Sequence, residues 1–160
     1  IWQRKIVGDY VYEEKIKKVL LILLVLFIVI ILYAKFVNSI VGVYINWHIK
    51  LPYTTKILYY EQTEASWNSD GIYYTIVQYN SSHDRKKLND MKWKSDKNSE
   101  LETEVNEALV RLARLNSQSV NTIDFDKQYK YYTQSKRDSS TLYLIYIEEE
   151  KRLYILEDLL

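Results

Sequence analysis

Hydrophobic and polar positions are distributed unevenly along the chain, and the longest uniform stretch is the apolar run at residues 19–34. This run contains no charged residue, no amide side chain, no proline and no glycine, and Phe36 and Val37 continue it past Lys35. A segment of about 20 apolar residues crosses a bilayer as a helix, whereas a core helix of a globular protein normally has a polar face. The pattern therefore predicts a transmembrane helix over residues 19–37. Its predicted membrane-anchor residues are Lys18, Val19, Leu26, Ala34 and Lys35.

Cations are concentrated before this run: Arg4, Lys5, Lys15, Lys17 and Lys18 precede it, and no cation lies between Lys35 and Lys50. Lysine and arginine near a span stay on the cytoplasmic side, so we expect a cytoplasmic N-terminus and an extracellular C-terminal domain. A further span upstream would reverse this orientation. A cleaved signal peptide is the alternative, but the run exceeds the usual apolar core of about 7–15 residues and lacks a small-residue cleavage pattern. The expected segments are 1–18 cytoplasmic, 19–37 transmembrane, 38–52 a juxtamembrane stalk or interfacial connector, and 53–160 an extracytoplasmic domain.

Residues 53–62 (YTTKILYYEQ) and 72–79 (IYYTIVQY) are rich in β-branched and aromatic residues, which is typical of strands. Residues 63–70 between them have turn composition, and Asp70-Gly71 is a strong turn pair, so the two strands are predicted to form a hairpin. The polar, lysine-rich residues 80–98 predict a long loop, attached to the core through Leu88, Met91 and Trp93.

An amphipathic helix of roughly 16 residues is predicted to begin at Ser99. Ser99 and Glu102 match a capping box, in which the two side chains satisfy free backbone N–H groups. Apolar residues follow at spacings of three and four and form one stripe, which we expect to pack on a sheet: Leu101, Val105, Ala108, Leu109, Leu112 and Leu115.

Three further strands are predicted at residues 123–134, 141–148 and 152–158, with a short turn at 149–151. Both faces of the segment 142–147 are apolar, which indicates an inner strand. The predicted order is β-β-α-β-β-β. The sequence thus predicts an α+β domain with an antiparallel sheet of about five strands and one helix packed on it.

The chain has 160 residues and no cysteine, which excludes disulfide bonds, thiol catalysis and a lipid-modified cysteine anchor. An exported domain without disulfides suits a Gram-positive bacterium. Positive and negative charges are interspersed, with a formal net charge of +1. Because no basic stripe with interleaved aromatic residues is present, we expect no nucleic-acid partner.

Few residues in the chain are suited to catalysis or to cofactor binding. The two histidines, His48 and His83, are far apart and have no second ligand at metal spacing. No Gly-x-Ser-x-Gly motif occurs, and three glycines are too few for a phosphate-binding loop. We expect no metal, no cofactor and no catalytic residues.

Asp124 and Asp126 stand two apart on a predicted strand and so share one face. They are candidates for a cation site or a general acid–base pair. The alternative, which we favour, is a solvated strand face that resists aggregation.

Tyrosine is the most conspicuous excess, with 16 in the chain. The doublets Tyr59-Tyr60 and Tyr73-Tyr74 must place one ring on each face of a strand, and tyrosine is enriched at protein interfaces. The candidate protein-binding face therefore comprises Tyr59, Tyr60, Tyr73, Tyr74 and Tyr131. The alternative is a half-exposed sheet in which tyrosine reflects β-propensity alone.

The layout resembles small membrane-anchored or lipid-anchored surface proteins of low-G+C Gram-positive bacteria. The similar parts are the entry segment at 51–53 (LPY), the stretch at 66–73 (SWNSDGIY), and the final hairpin at 142–147 (LYLIYI) and 152–157 (RLYILE). Members often carry histidine and glycine before the Asp-Gly pair, where this chain has Ala65, Ser66 and Trp67. The resemblance implies a surface location and the fold, and it implies no activity.

These observations favour a non-enzymatic, single-pass membrane protein whose outer domain binds a protein at the cell envelope, for instance as an immunity or exclusion factor. Its expected partners are membrane lipid and an envelope protein. A small-ligand or peptide sensor coupled to a membrane partner is the first alternative. A cell-wall-acting enzyme is the second.

Overall fold

The structure is a computed structural model that describes residues 2–52, 56–63 and 70–160, and for the helical residues 2–14 and 31–39 it describes the backbone alone. Several predicted features lie outside the described residues: the strand start at Tyr53, the turn at 64–69 with Ala65, Ser66 and Trp67, and the side chains of Ala34 and Lys35. The chain forms two compact units, Ile1–Val41 and Gly42–Leu160.

The first helix, α1, runs over Trp2–Trp47. Its apolar side chains at residues 19–30 are each between 47% and 62% exposed. Successive helical residues point about 100° apart, so these exposed side chains cover the whole circumference. The helix ends at Trp47, and the next residue, His48, has a φ of 59° in the left-handed region.

Over the described part of the chain, no helix has both the length and the apolarity needed to cross a membrane.

The second unit contains a five-stranded antiparallel sheet, which confirms the predicted α+β class and strand number. The strands are β1 (Lys56–Gln62), β2 (Gly71–Gln78), β3 (Lys130–Ser135), β4 (Thr141–Ile147) and β5 (Arg152–Leu159). Their spatial order is β1-β2-β5-β4-β3. Pairing of β2 with β5 joins the first hairpin to the later three strands, so β5 occupies the centre of the sheet.

Two helices lie between β2 and β3: α2 (Ser82–Asn89) and α3 (Ser99–Asn116). The predicted order, β-β-α-β-β-β, omitted α2, and the prediction of a continuous loop was wrong there. The helix is short and its sequence, SHDRKKLN, has one apolar residue, Leu88, so no helical periodicity is visible. Leu88 is nevertheless fully buried, as predicted, and the Trp93 ring packs 6.2 Å from that of Tyr146.

The N-cap of α3 is Asn98 rather than the predicted Ser99. The Asn98 side chain accepts hydrogen bonds from the backbone N–H groups of Glu100 and Leu101, each at 3.1 Å. Asparagine and serine are comparable N-caps, so the motif alone could not separate neighbouring positions. The predicted apolar stripe is buried from Leu101 to Leu112, whereas Leu115, in the last turn, is 66% exposed.

The third strand begins at Lys130 rather than at residue 123. Residues 123–129 form an irregular segment, in which Ile123 and Tyr129 are buried and Phe125 packs against the same core. Alternating apolar residues occur here because the segment lies over the core, although it adds no strand to the sheet.

Both faces of the sheet are buried. The face covered by α3, which we call the helix face, includes Tyr143, Ile145 and Ile147 of β4. Alternation places the other β4 side chains on the opposite face, and the register adds neighbours from β2 and β5. The buried residues of the opposite face are Thr75, Val77, Leu142, Leu144, Tyr146, Leu153, Ile155 and Glu157.

Candidate functional site

The five tyrosines predicted to form a binding face do not share one surface. Tyr74 and Tyr131 are 0% and 6% exposed, within the core of the helix face. Tyr59 packs edge-on against Tyr74, with ring centroids 5.7 Å apart. Alternation places Tyr60 and Tyr73 on the opposite face, where Tyr73 is half-buried and Tyr60 is 40% exposed. Of the five, Tyr60 alone presents an exposed ring.

Several buried tyrosines hold the fold together through hydrogen bonds to glutamates. The hydroxyl donors and their acceptors are Tyr129 to Glu102 (2.7 Å), Tyr143 to Glu104 (3.1 Å) and Tyr154 to Glu150 (2.6 Å). Burial is the main cause that raises the pKa of each of these phenols to about 12. They therefore remain protonated donors. Tyr143 of β4 fastens α3 to the sheet, and Tyr129 fastens α3 to the segment before β3.

The predicted acidic pair, Asp124 and Asp126, lies in a turn and not on a strand face. Asp124 Oδ1 accepts a hydrogen bond from the Asp126 backbone N–H at 3.2 Å, and both residues are exposed. Lys127 Nζ lies 3.6 Å from Asp124 and 2.5 Å from Glu150. Burial acts to raise the pKa of Glu150, but hydrogen bonds from Lys127 and Tyr154 outweigh it, so this pKa is lowered. Glu150 therefore serves as an ionised partner for the lysine.

No group of three or more histidine, cysteine or acidic residues is arranged to hold a metal ion within the described residues. His48 is exposed at the end of α1, and His83 is exposed on α2.

A buried carboxylate lies where the last turns of α1 meet the central strand β5. Glu157 is 4% exposed on the opposite face of the sheet. Its Oε2 accepts hydrogen bonds from Trp47 Nε1 at 2.7 Å and from Asn46 Nδ2 at 3.1 Å. Lys136 Nζ lies over the Trp47 ring, 4.5 Å from its centre. We call Asn46, Trp47, Lys136 and Glu157 the Glu157 cluster.

Burial dominates the electrostatics of the Glu157 cluster. It raises the pKa of Glu157, whereas the hydrogen bonds from Asn46 and Trp47 and the charge of Lys136 act in the opposite direction. A buried carboxylate needs donors in place of water, and this one has two neutral donors from one helix end. The arrangement is suited to fixing the helix end on the sheet. It offers no open face for a substrate.

The free edge of β1 is partly protected. Asn116 Nδ2, at the end of α3, donates to the backbone carbonyl of Gln62 at 2.8 Å and also to the Glu61 carboxylate. The pairing with β2 shifts register between Ile57 and Tyr59, which marks a bulge. Bulges and covered backbone groups both discourage the addition of another strand.

Apolar side chains remain exposed around this edge. Leu58 is 38% exposed, Tyr60 is 40% exposed, and Leu115 precedes Asn116 with 66% exposed. The Tyr60 hydroxyl donates to the side chain of Gln62, the residue whose carbonyl Asn116 caps. Leu58, Tyr60 and Leu115 are named the β1 edge surface.

A shallow groove of about 650 Å³ is lined by α3 together with Tyr143 of β4 and Asp158 of β5. Charged groups line most of it, including Glu104, Glu107, Arg111 and Arg114, and Arg111 forms an ion pair with Asp158 of β5. The volume falls within the usual range for small-molecule sites, but such sites are mostly apolar and concave.

Sequence reasoning missed the Glu157 cluster. The available signal was a glutamate at the end of the run LYILE, within a strand that is apolar on both faces. A charged residue among apolar neighbours predicts that another residue pairs with it in the interior. The sequence does not indicate which distant residue that partner is.

Comparisons of the chain with protein-family models, with curated proteins and with solved structures found no match.

Proposed function

We propose that this chain is a single-pass membrane protein and that its α+β domain is a non-enzymatic module that binds a protein at the extracytoplasmic side of the cell envelope. The observation that carries the proposal is the exposure of every apolar side chain from residue 19 to residue 30. Exposing these apolar side chains to water is unfavourable, whereas exposing them to the hydrocarbon core of a bilayer is favourable. The proposed span, 19–37, continues beyond the residues whose side chains are described.

Transfer energies support a bilayer environment for this stretch. Leucine, isoleucine, phenylalanine and valine each favour the centre of a membrane helix by about 0.3–0.6 kcal/mol. The residues from Val19 to Ile30 are all of these four types, which amounts to several kcal/mol, on the order of 5. The excess of cations before the run supports a cytoplasmic N-terminus. The resemblance to small anchored surface proteins of Gram-positive bacteria points to the same location.

The β1 edge surface supports the protein-binding half of the proposal. Leu58 and Tyr60 leave an aliphatic and an aromatic side chain exposed on this edge strand, and tyrosine is enriched at interaction sites. Tyr60 belongs to the tyrosines that the sequence suggested for this role. The protected backbone of β1 favours contact through side chains over strand addition.

Two experiments test the proposal on the full chain in cells. Alkaline carbonate should leave the protein in the membrane fraction, and protease added to intact cells should degrade the domain. The Leu26→Arg variant should reduce membrane retention, because arginine at the centre of a span costs about 2.5–3.5 kcal/mol. Extraction by carbonate, or a domain protected in intact cells, would contradict the anchor or its orientation.

The binding surface is tested by photo-crosslinking in the same cells. A benzoylphenylalanine residue at Tyr60 should give a discrete cross-linked protein, and one at Lys86, exposed on α2, should not. Absence of any product from Leu58, Tyr60 and Leu115, in a protein that remains folded in the membrane, would contradict binding at this surface.

The groove along α3 favours the second candidate, a small-ligand or peptide sensor, because Arg114 lines it and guanidinium groups bind anionic ligands. A ligand that raises the melting temperature of the wild type, but not of Arg114→Ala, would support it over the first.

A further inference from the structure

The tip of the β3–β4 hairpin lies beside the end of α1. Lys136 begins the hairpin turn, and its backbone N–H donates to the Ser140 carbonyl at 2.9 Å. Its ammonium group lies over the Trp47 ring, and Lys50 Nζ lies 5.8 Å from the centre of the Tyr44 ring. Arg137, next in the turn, is exposed. The hairpin turn and the helix end thus form one cationic and aromatic surface.

The helix end also carries an exposed apolar side chain next to Tyr44 in the chain. Ile45 is 65% exposed and follows Tyr44, which is 43% exposed. We call Tyr44, Ile45, Lys50, Lys136 and Arg137 the cationic tip.

We propose that the cationic tip contacts the anionic headgroups of the membrane in which α1 is anchored. Lysine and arginine are attracted to the negative surface potential of anionic lipids, and tyrosine is enriched in the interfacial layer. The proposal rests on the membrane anchor proposed above. It adds a second contact, made by the folded domain, and it assigns a lipid class to that contact.

The acidic groups near the cationic tip do not cancel its charge. Asp138 Oδ1 accepts a hydrogen bond from the Ser140 backbone N–H at 2.9 Å. This bond and a further one to the Ser140 side chain hold the pKa of Asp138 below its usual range. Glu157 is buried and bonded to Trp47 and Asn46. The positive charges of Lys50, Lys136 and Arg137 therefore outnumber the negative charge of Asp138, which is exposed in the same hairpin turn as Lys136 and Arg137.

The test uses the full chain in lipid nanodiscs with one environment-sensitive fluorophore. The native chain has no cysteine, so a single introduced cysteine is labelled specifically. Ile45→Cys reports on the cationic tip, and Val110→Cys, at a position 56% exposed on α3, is the matched control. Phosphatidylglycerol, compared with phosphatidylcholine alone, should shift the emission of the Ile45 probe to shorter wavelength and leave the Val110 probe unchanged. High salt should remove the difference, because salt screens exposed charges.

Charge variants identify the residues responsible. The Lys136→Gln/Arg137→Gln double variant should lose the lipid-dependent shift. Lys86→Gln/Lys87→Gln, which removes the same charge from exposed positions on α2, should keep it. Lys136→Arg should also keep it, which separates loss of charge from loss of packing on Trp47.

No shift at residue 45, an equal shift on both lipids, or a shift that survives Lys136→Gln/Arg137→Gln overturns the proposal. Failure of the full chain to enter nanodiscs overturns the anchor and this proposal together, and it is detected before any emission is measured. The two failures are therefore distinguishable.

Discussion

Trp47 donates a 2.7 Å hydrogen bond from its indole nitrogen to the carboxylate of Glu157, 110 positions later in the chain. The two residues are 2% and 4% exposed. A carboxylate in such a place is stable where hydrogen-bond donors replace its water, and Asn46 supplies the second donor. One acidic residue on the central strand thus holds the end of α1.

Removing the indole donor should weaken this contact. We expect Trp47→Phe to lower the free energy of unfolding by about 2 kcal/mol, because a buried charged acceptor loses one of its donors. Trp93→Phe is the matched control: its Nε1 donates to the neutral carbonyl of Leu88 at 2.7 Å, and its loss should cost about 1 kcal/mol. Thermal unfolding of the full chain in detergent measures both. Equal losses would argue against a special role for Glu157.

Glu157 should also make stability depend on pH. Burial raises its pKa above the ordinary 4.5, so the folded state binds the proton more tightly than the unfolded state. Its contribution to the free energy of unfolding is then fully present below about pH 4.5 and is lost as the pH rises through the raised pKa. Glu157→Gln lacks this titration.

The difference in unfolding free energy, wild type minus Glu157→Gln, should therefore fall as the pH rises from about 4.5 through the raised pKa. Denaturant titrations at several pH values provide the measurement. A difference that is flat or grows with pH would mean that burial does not dominate at Glu157.

The start of α3 distinguishes two neighbouring residues. Asn98→Ala should lower the free energy of unfolding by about 1 kcal/mol, because its side chain caps the N–H groups of Glu100 and Leu101. Ser99→Ala should change it by less than about 0.5 kcal/mol, since surface changes away from a cap have small effects. Urea denaturation measures both changes. A larger loss of unfolding free energy in Ser99→Ala than in Asn98→Ala would identify Ser99 as the cap.

Two buried tyrosines should respond oppositely to loss of the hydroxyl. The Tyr74 hydroxyl has no hydrogen-bond partner among the described residues, so Tyr74→Phe should leave stability unchanged or raise it by up to about 1 kcal/mol. The Tyr129 hydroxyl donates to Glu102 and accepts from the Asn98 N–H, so Tyr129→Phe should lower stability by about 1–2 kcal/mol. Melting temperatures of the two variants give the comparison. A larger loss in Tyr74→Phe would reveal a partner for its hydroxyl.

Much of the fold followed from local pattern. The final hairpin, β4 and β5, and the first, β1 and β2, were predicted because each run of β-branched and aromatic residues ends at a turn signal. The stripe of α3 was predicted because its buried residues repeat every three or four positions. Helix α2 was missed because a helix with a single apolar residue, Leu88, has no such repeat.

The candidate site was harder to predict from sequence. Alternation along a strand correctly placed Tyr59 and Tyr60 on different faces of the sheet, and likewise Tyr73 and Tyr74. It could not predict which face α3 would cover. That choice buried Tyr74 and left Tyr60 exposed. The pairing of Asp124 with Asp126 failed for a related reason, because their segment lies over the core as a turn and not within a strand.

The sequence by itself determined the uniformly apolar stretch at 19–34, the amphipathic character of α3 and the strand segments, because each depends on residues within a few positions of one another. The tertiary structure alone decided that β2 lies beside β5 and that Trp47 reaches Glu157. It also decided which tyrosines are interior. These outcomes depend on contacts between residues that are distant in the chain. Such contacts form when the apolar face of one helix or strand is covered by another element, and no local pattern specifies which element that is.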